Sequence, residues 1–103
     1  MKDLLKFCSL SSGSCGNATY IEYKDSKILI DAGLNGVTTE NALKEIGTDI
    51  KDLDAVILTH EHRDHVQGAG ILSRKYGAKL YANEKTFLAS LARIGSVLSL
   101  IHI

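Results

Sequence analysis

Three of the chain's four histidines fall within six residues, His60-Glu61-His62-Arg63-Asp64-His65, with an aspartate among them. The spacing suits the end of a β-strand. His60 and His62 are two positions apart, so on extended backbone their imidazoles project to one side and can reach one metal ion at about 2.0–2.1 Å. Asp64 and His65 follow where the backbone turns toward the next element, and from there they can address a second ion about 3.5–4 Å from the first. Thr59, Glu61 and Arg63 hold the alternate positions and are expected to support the others or to face solvent. A mixed imidazole and carboxylate set suits Zn2+ first, with Mn2+ or Fe as alternatives, and leaves positions open for water. A structural zinc would close its shell with four protein ligands, often thiolates, and the only two cysteines, Cys8 and Cys15, lie far upstream. The chemistry expected is hydrolysis by a metal-activated hydroxide.

Such a cluster needs rigid elements behind it. Leu53-Asp54-Ala55-Val56-Ile57-Leu58-Thr59 reads as a buried strand running straight into the histidines, and a helix over 66–76, stopped by Gly77, follows them. Upstream, strand-like runs at 4–8 and 18–24 are separated by Ser9-Leu10-Ser11-Ser12-Gly13-Ser14-Cys15-Gly16-Asn17, a stretch dense in turn formers. The run 18–24, the polar pair Asp25-Ser26 and the run Lys27-Ile28-Leu29-Ile30-Asp31 predict a hairpin. Its second strand is almost continuously apolar, which suits burial on both faces. Asp31-Ala32-Gly33 ends that strand, and Gly33 to Gly36 makes a loop. Thr38 or Thr39 is the expected cap of a helix over 40–46, with Ala42, Leu43 and Ile46 on one face and Gly47 as its stop. A short strand, Lys79-Leu80-Tyr81-Ala82, leads to a helix over 84–93 opened by Asn83. After the hairpin, strands and helices alternate, which predicts an α/β layered architecture.

The 103 residues make one small domain, and 45% hydrophobic with 23% charged residues is a globular composition. Twelve basic and twelve acidic residues cancel, so the chain lacks the basic footprint of a nucleic-acid or membrane-surface binder. A polyanionic substrate would have to find its positive field in metal ions or in protein beyond this segment. Cys8 and Cys15 read as small reduced thiols. The start, Met1-Lys2-Asp3-Leu4-Leu5-Lys6, has no long apolar core and does not read as a signal peptide, and no window approaches a membrane span. A cytoplasmic protein with no membrane association is expected.

Thr59-His60-Glu61-His62-Arg63-Asp64-His65 after an apolar strand, with Asp31-Ala32-Gly33 ending an earlier one, resembles the metallo-β-lactamase-fold hydrolase superfamily. Phe7-Cys8-Ser9-Leu10-Ser11-Ser12-Gly13-Ser14-Cys15-Gly16-Asn17-Ala18-Thr19 is similar to the N-terminal strand and loop of its WalJ/YycJ-like branch, and Tyr81-Ala82-Asn83-Glu84-Lys85-Thr86 to a later strand-to-helix junction. The resemblance implies the N-terminal half of an αββα sandwich and a dinuclear-metal hydrolase of the phosphodiesterase or exonuclease kind, acting on DNA or RNA. A thioester or lactone hydrolase on the same fold is the alternative. It further implies His60 and His62 on the first ion, Asp64 and His65 on the second, and Asp64 as the catalytic residue that orients the nucleophile. Asp31 would stand behind them, accepting hydrogen bonds that orient the ligand loop, while Ser14 and Asn17 would line the substrate side.

The departure from that pattern is its extent. Family members run to roughly double this length, and they take a third histidine, a bridging aspartate and a last histidine from their second half. Here the only later histidine is His102. It lies in Leu98-Ser99-Leu100-Ile101-His102-Ile103, which has neither a helical stripe nor a strand pattern with a natural end. These six residues are also the translation of the mosaic-end adapter of transposon-based sequencing libraries, in a frame that can run straight into a stop codon. Residues 1–97 are therefore expected to be a truncated domain and 98–103 adapter read-through. The alternative is a natural apolar C-terminal strand.

Overall fold

A computed structural model of the chain describes residues 5–11, 16–59, 66–83, 85–86, 88–89 and 100–102. Strand β1 (Leu5–Ser11) pairs antiparallel with β2 (Ala18–Tyr23), which turns back into β3 (Ser26–Ile30). The turn is Lys24-Asp25, one residue earlier than the expected Asp25-Ser26, so that Tyr23 faces Ser26. Lys24 takes a left-handed φ of 54° there, because a two-residue hairpin loop needs positive φ to follow the twist of its strands. From β3 onward the pairing is parallel, through β4 (Ala55–Ile57), β5 (Leu80–Ala82) and β6 (Leu100–His102), giving the sheet order β1-β2-β3-β4-β5-β6. β4 is shorter than the apolar run suggested. A 3-10 turn at Ile50–Asp52 precedes it, and Asp54 ties the chain to β3 through backbone and carboxylate bonds with Lys27, 2.8 and 2.7 Å.

Helix α1 (Gly36–Glu45) starts earlier than the threonines implied. Its cap is Asn35, whose Oδ1 accepts the Thr38 N–H at 2.8 Å. Thr39 is buried instead, with its hydroxyl donating to the Asn35 carbonyl at 2.9 Å. A β-branched side chain inside a helix can satisfy its hydroxyl only on the preceding turn, so burial of Thr39 selects Asn35 as the cap. Helix α2 (Ala69–Tyr76) stops where expected, at Gly77, which takes φ 72° and donates to the Ser73 carbonyl. Asn83 accepts the Thr86 N–H at 2.7 Å, and residues 85–86 and 88–89 beyond it are helical.

Alternation along the strands divides the sheet into two faces. Ala18, Tyr20, Leu29, Val56, Leu80 and Ala82 share one, and they form a single core with Leu43 of α1 and Leu72 of α2. Two parallel crossovers stepping the same way, each right-handed, put both helices on that side. The opposite face holds Phe7, Ile21, Ile28, Ile30, Ile57 and Tyr81, and neither α1 nor α2 covers it. Leu29 of β3 is thus fully buried while Ile28 and Ile30 are half-buried, rather than the strand being enclosed on both sides. Cys8 is a half-buried free thiol against the core, and Cys15 lies outside the described residues.

Because β1, β3, β4 and β5 point the same way, the segments that follow Ser11, Ile30, Ile57 and Ala82 gather at one edge of the sheet. In open α/β sheets, ligands are taken at this carboxyl edge. Leu100–His102 adds to the far side of β5. The open edge of a short strand accepts any apolar segment with β propensity, so this pairing does not bear on where the segment comes from.

Candidate metal centre

Asp31 is the first residue beyond β3, and its φ of 65° places it in the left-handed region, which aspartate tolerates better than most residues. Its N–H donates to the Ile57 carbonyl at 2.7 Å, closing the ladder between β3 and β4. The bend turns its carboxylate toward the end of β4. There Oδ1 accepts the Thr59 N–H at 2.8 Å and Oδ2 accepts the Thr59 hydroxyl at 2.6 Å. Asp31 is buried, 6% exposed, and a carboxylate acceptor makes both bonds the stronger, charge-assisted kind. Thr59 is the residue before His60, and the carboxylate therefore sets the direction in which the chain leaves β4.

The segment after Asp31 is held from two further sides. Gly33 donates its N–H to the Asn17 carbonyl at 2.9 Å, and a Cβ on Gly16 would stand 2.7 Å from the Gly33 oxygen. Only glycine permits that approach, and Gly16 also has φ +147°. On the other side the Gly68 N–H donates to the Ala32 carbonyl at 2.7 Å, and the Gln67 side-chain amide donates to the Gly33 carbonyl. A Cβ on Gly68 would drive into the Leu34 carbonyl oxygen. Residues 31–34 are thus the hub on which the loops from β1 and from β4 converge.

Asp31 and Asn17 stand at this hub, while His60, His62, Asp64, His65 and Ser14 lie outside the described residues. Among the described residues no three His, Cys, Asp or Glu side chains are grouped so as to hold a metal. The histidine and aspartate chemistry of residues 60–65 fits a divalent ion. Sequence reasoning assigned no role to Gln67 or Gly68, placed Gly16 only among the turn formers of a loop, and named Thr59 only as a supporting or solvent-facing residue. The signal for Gly68 was faint, a glycine inside a helical pattern, where it weakens the helix unless packing requires it. Gln67 carried none.

The family model described as metallo-beta-lactamase superfamily matches residues 14–99, and the chain belongs to that superfamily. It is 52% identical over 84 residues to the exodeoxyribonuclease WalJ of Streptococcus pneumoniae serotype 2 (strain D39 / NCTC 7466), covering 82% of this chain and 31% of that protein. To the exodeoxyribonuclease YycJ of Bacillus anthracis it is 45% identical over 93 residues, covering 90% of this chain and 35% of that one. Among solved structures, a B3 metallo-beta-lactamase with an active-site glutamic acid superposes with a TM-score of 0.73 at 20% identity, over 88% of this chain and 41% of that one. That likeness is one of fold. The chain spans about a third of the length of the curated relatives it matches, less than the half expected from the resemblance.

Proposed function

We propose that the chain carries the N-terminal metal ligands of a dinuclear-metal hydrolase that cleaves phosphodiester bonds, an exonuclease acting on DNA or RNA in the cytoplasm. The observation that carries this reading is the Asp31 carboxylate gripping Thr59 by hydroxyl and backbone, one residue before the histidine cluster. The exodeoxyribonuclease names of the two relatives favour phosphodiesters over the alternative, a thioester or lactone. Among the described residues no helix is long and apolar enough to cross a membrane.

His60 and His62 would hold the first ion, and Asp64 and His65 the second, with zinc preferred and manganese or iron as alternatives. Such a pair lowers the pKa of a water and stabilises the charge that develops on the phosphate oxygens. Asp64 would orient the nucleophile and offer a carboxylate to its proton. Asp31, through Thr59, aims the histidines, because a ligand's orientation is set by the groups that hold it from behind. Asn17, whose carbonyl accepts the Gly33 N–H, would line the substrate side together with Ser14.

Four ligands are too few to hold two ions firmly while leaving water on both. The 103-residue chain therefore binds metal weakly and turns nothing over, and the remaining histidines and bridging aspartate come from beyond residue 97. Residues 98–103 are read-through on this view, which removes His102 from the ligand set. Zinc titration of the chain should give weak binding that His60→Ala and Asp64→Ala each abolish. A longer reading frame carrying a downstream aspartate and two histidines should degrade DNA or RNA from an end. Clear phosphodiesterase turnover by the 103-residue chain, or zinc binding indifferent to both substitutions, would overturn the assignment.

A further inference from the structure

The hydrogen bonds at the hub share a property that the ligand assignment does not use. Thr59, immediately before the histidine cluster, is bonded to Asp31. Gln67 and Gly68, immediately after it and Val66, are bonded to Gly33 and Ala32. Both ends of the ligand-bearing segment are therefore referenced to three consecutive residues at the carboxyl end of β3. Val66 adds to the second anchor by being fully buried, and Ala32 and Gly33 are buried as well.

We propose that Gln67 is a positioning residue for the metal ligands, forming with the Gly68 amide the exit clamp of the histidine segment, as Asp31 forms the entry clamp. The proposal rests on the reading of residues 60–65 as metal ligands. Its physical basis is tolerance. Metal–ligand distances must be met within about 0.2 Å, whereas packed helices shift against sheets by more than that. If the exit were held only by α2, any slide of that helix would change the span between the segment's ends. Bonding both ends to residues 31–33 makes that span a property of one buried turn. The orientation of the Gln67 amide is fixed chemically: the Gly33 carbonyl can only accept, and the Gly33 N–H is already given to Asn17, so the amide nitrogen must face it. The Gly68 backbone can approach because no Cβ stands between it and Leu34.

The test uses the full 103-residue chain and Gln67→Met, which keeps length and packing but removes the donor. Thr48→Val serves as a control that loosens the fold at a distance. Amide hydrogen exchange without metal is the first readout. The Gly68 amide should exchange several-fold faster in Gln67→Met, with the Val56 and Leu80 amides unchanged. The second readout is Co2+ titration followed by the visible absorption bands, which report coordination geometry. Affinity should fall about tenfold, as for other groups that hold a ligand from behind, and the band shape should change, while Thr48→Val leaves both as in the parent. Gly68 exchange within twofold of the parent in Gln67→Met, or equal affinity losses in the two variants, overturns the proposal. Absence of Co2+ binding by the parent itself would instead overturn the metal-ligand reading, and the exchange measurement still decides the clamp.

Discussion

The hairpin of β2 and β3 carries two carboxylate networks of different construction. Glu22, on β2, accepts the Tyr20 hydroxyl at 2.7 Å and has Lys6 at 3.8 Å; the Thr48 hydroxyl donates to the same Tyr20 oxygen at 3.4 Å. All of these are side-chain contacts. Asp31, at the far end of β3, accepts a backbone N–H as well as a hydroxyl, and its own backbone is bent into the left-handed region to do so. A carboxylate bonded to side chains satisfies a buried phenol and completes the packing around it. One bonded to backbone dictates where the chain goes next. The first kind is expected to matter for stability alone, the second for whatever the redirected chain carries.

The largest effect should come from Asp31→Ala. Thr59 loses both partners, at about 1–3 kcal/mol, and alanine pays about 1–2 kcal/mol for left-handed backbone. Urea melts should show that loss, and zinc binding should fall below detection. Asp31→Asn tolerates the same φ and should recover most of the stability but not the affinity. A neutral amide lacks the charge-assisted grip on Thr59, so recovery of both would mean that Asp31, like Glu22, matters for stability alone.

Tyr20→Phe removes the bond to Glu22 and the bond from Thr48, at about 0.5–1.5 kcal/mol each, and should leave metal affinity unchanged. A drop in affinity would show that the two networks are coupled. The same residue gives a pH signature. Burial first, then the bond to Glu22 and the negative charges of Glu22 and Asp54, outweigh the opposing Thr48 bond and push the Tyr20 hydroxyl from 10.0 to about 12. A raised pKa favours the neutral phenol in the fold. Its contribution is therefore complete below pH 10 and disappears as the pH climbs from 10 toward 12. Melting temperatures of the parent should fall more steeply across that window than those of Tyr20→Phe.

The smallest effect belongs to Glu22→Gln. The Tyr20 hydrogen bond, helped by Lys6 and Lys27 and opposed by burial, holds the Glu22 carboxyl below its ordinary 4.5. A lowered pKa contributes stability that is present above about pH 4.5 and fades as the pH drops further. Thermal melts between pH 3 and 7 should show a slightly shallower acid limb in the variant. An acid limb steeper than the parent's would mean that this carboxylate does more than satisfy a phenol.

Much of this molecule was legible in its residues. The alternation of apolar runs and turn formers marked the hairpin, the later strands and the second helix, and Gly77 and Asn83 ended and opened helices as their chemistry requires. Other features depended on neighbours distant in sequence. Asn35 displaced Thr38 and Thr39 as a cap because the core took Thr39, and β4 shrank because Asp54 was committed to Lys27. The hairpin turn moved by one residue because register, set by the face that must be buried, outranks the preference of Asp25-Ser26.

At the site the division is sharper. Histidine and aspartate at fixed spacing point to metal ligation from sequence alone, because that chemistry depends on residue type and on local backbone periodicity. The support for that spacing could not be read the same way. Asp31 and Thr59 are 28 residues apart, and Gln67 and Gly33 are 34 apart. Nothing local to glutamine or threonine distinguishes a clamp from a solvated side chain. Only the parallel pairing of β3 with β4, which brings their carboxyl ends together, decides which of them holds the loop.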